Sequence, residues 1–301
     1  MPTARKVLAV VGVVGHDQKG VVARFATYMA ERGINIEDIE QRVVRGTFIM
    51  DMLVDIADVT VDLSTLITGL LDLGKSIGMD VRVSLHDEKK TRKLAILCSK
   101  EPHCLQHLLT MIAEKKMHAQ VVGVLANHPD LEPVAKQFNV PFAWKSHDDL
   151  PAHFAWLRSE LKKLAPDAIA LARYMRVLPP EIVQEQRHKI VNIHPSLLPF
   201  FPGAAPYKQA YESGVRVSGC TAHFVTEQLD QGPVILQDVF HIDVGTDSLD
   251  DVKSKGLQLE AQTLGEAVRM FVDDELVVLD GNVVFKPGVR RFVATPEPKR
   301  N

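Results

Sequence analysis

Two rhythms of hydrophobic positions alternate through the first 86 residues. Period-2 runs rich in Val and Ile, at residues 7–14, 36–44, 48–56 and 81–85, predict strands. Apolar residues spaced three and four apart predict helices near residues 21–32 and 63–77. Gly33 stands where a left-handed helix cap is expected, and Arg45-Gly46 where a hairpin turns. Strand, helix, strand, strand, helix, strand is the order of a ferredoxin-like βαββαβ unit.

The charged, non-periodic stretch at residues 87–92 reads as a linker. Beyond it, apolar strand patterns at residues 93–98, 120–126, 168–172, 190–193 and 217–225 alternate with helical ones near 105–115, 131–138, 150–164 and 180–186. This alternation predicts an α/β domain with a mostly parallel, doubly wound sheet. The expected division is therefore residues 1–86, a linker at 87–92, and a second domain at 93–301. Ligands of such sheets sit beyond the carboxyl ends of the strands.

Composition changes this picture little. With 46% hydrophobic and 24% charged residues and a formal net charge of -3, the 301-residue chain reads as globular, with no expected nucleic-acid partner. It has no run of about 18 apolar residues that would suggest a membrane span, and its first residues lack the apolar core of a secretory signal. Cys98, Cys104 and Cys220 are odd in number and lack CxxC spacing. Free thiols in a reducing cytoplasm are expected, with no structural metal. His103, Cys104 and His107 form the nearest approach to a metal-ligand cluster; after a proline at a helix start they read as solvated or capping residues.

The chemistry concentrates where residues 190–193 run out. Asn192 and His194 lie two apart, so in a strand both side chains face the same way. Two prolines follow, Pro195 and Pro199, and a later Asp230-Gln231-Gly232-Pro233 turn supplies a carboxylate. An amide donor, an imidazole and an acid make a set suited to attack at a carbonyl carbon. Each also has an ordinary reading: the chain holds 12 histidines, Asn192 suits a turn, and nothing local links Asp230 to either. His223 shares a strand face with Thr221 and Val225; a structural hydrogen bond is expected there, and a place bordering the pocket is the alternative.

Two resemblances add to these readings. Val14-Gly15-His16-Asp17-Gln18-Lys19-Gly20, followed by Gly33-Ile34-Asn35-Ile36, resembles an ACT regulatory domain, with Lys19 where a proline is usual. That resemblance implies pairing of sheets between subunits, hence a homodimer or homotetramer, and an amino-acid effector near Asp17, Gly20 and Asn35. Turn and cap geometry explains Gly20 and Asn35 equally well.

Asn192-Ile193-His194-Pro195-Ser196-Leu197-Leu198-Pro199, then Gly203-Ala204-Ala205-Pro206, then Thr221 through Pro233, resembles the formyltransferase fold that uses 10-formyltetrahydrofolate. The resemblance spans about residues 93–285. It implies Asn192, His194 and Asp230 as catalytic triad, with Met175, Arg176, Val177 and Leu178 lining the folate. Apart from the resemblance, residues 171–178 read as a buried strand entering a loop, with Met175 as a gap filler.

The preceding ACT-like unit narrows the resemblance to the deformylase branch, which hydrolyses its folate substrate and requires no cofactor. Pro195 departs from that branch, which often carries a second histidine there. A turn without glycine after the first strand, containing Glu101, speaks against a phosphorylated amine acceptor. Transfer to a small amine, and a non-catalytic folate or amino-acid sensor, are the alternatives.

Overall fold

In the computed structural model, residues 7–85, 91–201, 205–279 and 281–286 are described. Most of the expected linker, together with Gly203 and Ala204, lies outside them. The chain divides into two compact units, one built on residues 7–85 with 285–286 and the other on residues 91–284.

The first unit runs β1 (Leu8–His16), α1 (Val21–Ala30), β2 (Asn35–Val44), β3 (Thr47–Asp55), α2 (Leu63–Ser76) and β4 (Met79–Leu85). Its antiparallel sheet has the order β2-β3-β1-β4. Helix α1 buries Val21, Phe25 and Met29, and α2 buries Leu66, Leu70 and Gly74, each a four-residue repeat that makes one apolar stripe. Asp62 caps α2 by accepting from the Thr65 amide at 3.0 Å.

Helix α1 stops two residues short of expectation. Glu31 caps it in right-handed conformation, and left-handed Gly33 follows outside the helix. Arg45 and Gly46 both have positive φ (49° and 79°), the type I′ signature that matches strand twist in a two-residue hairpin. Phe25 is fully buried in this core. Phe25→Ala should therefore destabilise the unit by about 3–5 kcal/mol, read as an earlier urea transition by circular dichroism.

The second unit continues with β5 (Arg92–Cys98), α3 (His103–Ala113), β6 (Ala119–Ala126), α4 (Glu132–Gln137), β7 (Phe142–Trp144), α5 (Leu150–Leu164), β8 (Ala168–Ala172) and α6 (Pro180–Glu185). It closes with β9 (Ile190–His194), α7 (Pro206–Glu212), β10 (Val217–Phe224), β11 (Val234–His241), α8 (Leu249–Val272) and the two-stranded sheet of β12 (Leu276–Leu279) and β13 (Asn282–Phe285), whose last residue groups with the first unit. The seven-stranded sheet has the order β11-β10-β9-β8-β5-β6-β7. Strands β5 to β9 are mutually parallel, and β10 and β11 pair antiparallel at one end.

The central strands carry no polar alternation because helices cover both faces: every residue of β8 is buried. Strand order reverses between β5 and β8, which opens the crevice where ligands of doubly wound sheets bind. The ends of β8 and β9, side by side, therefore place residues 173–178 and His194 at one edge.

Candidate active site

Asn192 and His194 lie on β9, opposite His223 and Thr221 of β10 in antiparallel register. Beyond His194 the chain is pinned at once. Thr221 Oγ1 donates to the Ser196 carbonyl at 2.7 Å and accepts from the Leu198 amide at 3.0 Å. The imidazole is thus held at the sheet edge by a neighbouring strand and not by its own loop.

Asp230 arrives on a turn whose shape explains its motif. A Cβ at Gly232 would lie 1.7 Å from the Phe224 carbonyl oxygen, so only glycine lets the turn approach the end of β10. The Phe224 amide donates to the Pro233 carbonyl at 2.9 Å and fastens that approach. Asp230 itself has φ 54°, a left-handed conformation that Asp tolerates better than most residues.

These constraints bring the three groups together. His194 Nδ1 is 3.2 Å from Asp230 Oδ2, with His194 only 7% exposed. Since a carboxylate only accepts, Nδ1 carries the proton and Nε2 is the working nitrogen. That Nε2 is buried and has no hydrogen-bond partner among the described residues. The hydrogen bond from His194 above all, against the opposing effect of burial, holds the Asp230 carboxyl well below the usual aspartate range. Asp230 is therefore an anion at neutral pH.

His223 belongs to this constellation, beyond the structural role expected of it. Its Nδ1 donates to the Phe224 carbonyl at 2.9 Å, which leaves Nε2 to accept from Asn192 Nδ2 at 3.3 Å. The same Nε2 is 3.6 Å from Asp230 Oδ1. One N–H of the Asn192 amide is thereby fixed, and the other is free to meet a ligand. The signal in the sequence was the Thr221/His223 alternation; what it lacked was the register that sets His223 opposite Asn192.

The β8 exit forms the adjoining wall. The Met175 amide donates to Ser99 Oγ at 3.0 Å across the crevice, joining the ends of β8 and β5. Tyr174 points inward, where its hydroxyl bonds His153 Nε2 while His153 Nδ1 donates to the Lys145 carbonyl. Burial lowers the His153 pKa, in keeping with a neutral ring. Met175 and Val177 stand 54% and 66% exposed and Leu178 is buried, so Met175 fills no core gap. Arg176 bonds the Met175 carbonyl and His147 Nε2.

In the first unit, Gly20 (φ 86°) precedes α1, the Asp17 amide bonds the Gly46 carbonyl at 2.8 Å, and Asn35 Nδ2 donates to Glu37 at 2.8 Å.

The expectation that His103, Cys104 and His107 are solvated or capping is corrected. No side chain caps α3, because α8 packs against this helix and draws all three inward. His103 Nε2 lies 3.3 Å from Glu260, Cys104 is fully buried, and His107 is half-buried against Gly265. Ligand atoms of His103, Cys104 and Glu260 lie within 4.8 Å of one another. Arg173 is 3.5 Å from the same carboxylate and the Tyr207 hydroxyl donates to it, so these side chains form an internal ion-pair and hydrogen-bond network. Burial pushes the Cys98 and Cys220 thiols up to about 12, and no described helix is long and apolar enough to cross a membrane.

Comparison with known proteins places this geometry in a family. A formyl transferase family model matches residues 92–268 and an ACT domain model residues 8–84. Formyltetrahydrofolate deformylase of Bacillus subtilis is 33% identical over 273 residues, which cover 89% of this chain and 90% of that protein. The crystal structure of a formyltetrahydrofolate deformylase from Pseudomonas syringae superposes with a TM-score of 0.84 at 28% identity, covering 95% of this chain and 96% of that one. Glycinamide ribonucleotide transformylase 1 from Symbiobacterium toebii matches with a TM-score of 0.62 at 32% identity, and covers only 67% of this chain against 96% of its own. The chain belongs to the formyltetrahydrofolate deformylase family, enzymes in which an ACT domain accompanies a formyl transferase domain.

Proposed function

We propose that this protein hydrolyses 10-formyltetrahydrofolate to tetrahydrofolate and formate, with Asn192, His194 and Asp230 as the catalytic groups. The observation that carries the reading is the His194–Asp230 contact at 3.2 Å, with an unpartnered Nε2 on the other side of the ring. The second Asn192 N–H and protonated His194 Nε2 donate to the formyl oxygen as it becomes anionic, each donor being worth about 3–4 kcal/mol.

Water forms the new C–O bond and gives its proton to the Asp230 carboxylate, while His194 keeps donating from Nε2. The C–N bond breaks with its electron pair passing to the folate nitrogen, which takes that proton back from Asp230 as formate leaves. Residues 175–178 line the folate, with Met175 and Val177 supplying apolar contact and main-chain groups meeting the pterin. Water is favoured as acceptor because the turn after β5 presents Glu101 and no glycine, a poor cradle for a phosphorylated amine.

Formate release from 10-formyltetrahydrofolate without any amine tests this; turnover appearing only after an amine is added would assign a transferase. His223→Gln should lower kcat about tenfold at nearly constant KM, since losing one orienting hydrogen bond costs about 1.4 kcal/mol. Steady-state kinetics checks it.

The ACT unit supports two further readings. Strand β2 is a sheet edge with Ile39 and Val43 exposed, which favours pairing with a second copy. Sedimentation equilibrium should give a dimer or tetramer; a species of 33.4 kDa alone would contradict it. Calorimetry of the full chain with glycine and methionine tests an effector site near Asp17, Gly20 and Asn35.

A further inference from the structure

Glu260, on α8, is fully buried. Its Oε1 accepts from the Tyr207 hydroxyl at 2.9 Å, and its Oε2 lies 3.3 Å from His103 Nε2 and 3.5 Å from Arg173 Nη1. A carboxylate withdrawn from water is tolerated only when paired and hydrogen-bonded, so these contacts are conditions of its being there. The partners come from three separate segments. His103 opens the helix that follows the Ser99 turn, Arg173 is the first residue after β8, and Tyr207 is the second residue of α7.

Two of these segments border the site. Arg173 lies two residues before Met175, and Ser99 Oγ accepts from the Met175 amide. Arg173 (φ 60°) and Ala205 (φ 53°) hold left-handed backbone without being glycine, which persists where the surroundings enforce it. The Tyr207 ring also lies over α8 one turn before Glu260, where a Cβ on Gly256 would sit 2.3 Å from it.

We infer that Glu260 is a positioning residue: one buried carboxylate tethers the exits of β5 and β8 and the start of α7, and so sets the loop at residues 173–178 for folate. The inference rests on the folate reading above for its ligand, but its mechanical part does not. Glu260 does not reach the reacting carbon, so its loss acts on KM and not on kcat.

In the full chain, Glu260→Gln should raise KM for 10-formyltetrahydrofolate about tenfold, as expected for one lost charge-assisted contact, with kcat little changed. Amide hydrogen exchange at residues 173–178 should quicken while that of β8 stays slow. Tyr207→Phe, which removes one bond and no charge, should move both readouts the same way but less. Should Glu260→Gln fold poorly, Glu260→Gln with Arg173→Gln removes the orphaned cation and should show the same rise in KM. A variant that loses only thermal stability, with KM and loop exchange unchanged, would overturn the inference, as would a fall confined to kcat. If the wild type failed to turn over this folate, exchange at residues 173–178 would still decide the tether.

Discussion

Asp230→Asn should lower kcat for formate release by about 10³- to 10⁴-fold, the scale seen when the acid of a catalytic triad becomes an amide. The carboxylate accepts from His194 Nδ1 and lies beside His223 Nε2. An amide in its place can turn its NH₂ toward Nδ1, which would shift the proton to Nε2 and leave no anion to balance an imidazolium. Asparagine suits the test because it accepts the left-handed backbone at this position as readily as aspartate. Folding should be intact by circular dichroism and KM within a few fold. Unchanged turnover would remove Asp230 from the mechanism, whereas binding of the folate without turnover in the wild type would favour a non-catalytic sensor.

Asn192→Ala should cost about 10²- to 10³-fold in kcat, the loss expected for one preorganised oxyanion donor. Its amide is aimed from the side: His223 holds one N–H, so the other has a fixed direction before any ligand arrives. Combining it with Asp230→Asn should cost far less than the product of the single effects, because residues acting on one transition state are strongly non-additive. Full multiplicativity, in parallel formate-release assays, would show that the two do not serve the same step.

The order of elements in the first unit was legible because its strands and helices carry their own periods, and the alternation in the second because continuous apolar runs mark its buried strands between periodic helices. Helix α8 was not. Two of its inward positions are glycines, Gly256 under the Tyr207 ring and Gly265 against His107 and Met111, and a third is the charged Glu260, so its buried face shows little apolar periodicity. Strand β7 is three residues long, too short to display a rhythm.

At the site, the Asn192/His194 spacing was readable because both sit on one strand. The approach of Asp230 depends on a Gly232 contact with Phe224, and the place of His223 on cross-strand register, neither of which is local in sequence. His103 was misread for the same reason: its partner Glu260 is 157 residues away.

The most direct test of the account is the source of the oxygen in the product. Turnover of 10-formyltetrahydrofolate in ¹⁸O-labelled water, with no amine present, should yield formate carrying the label in the wild type, and almost no formate with Asp230→Asn. Unlabelled formate, or equal labelled yield from the two proteins, would contradict hydrolysis by Asn192, His194 and Asp230.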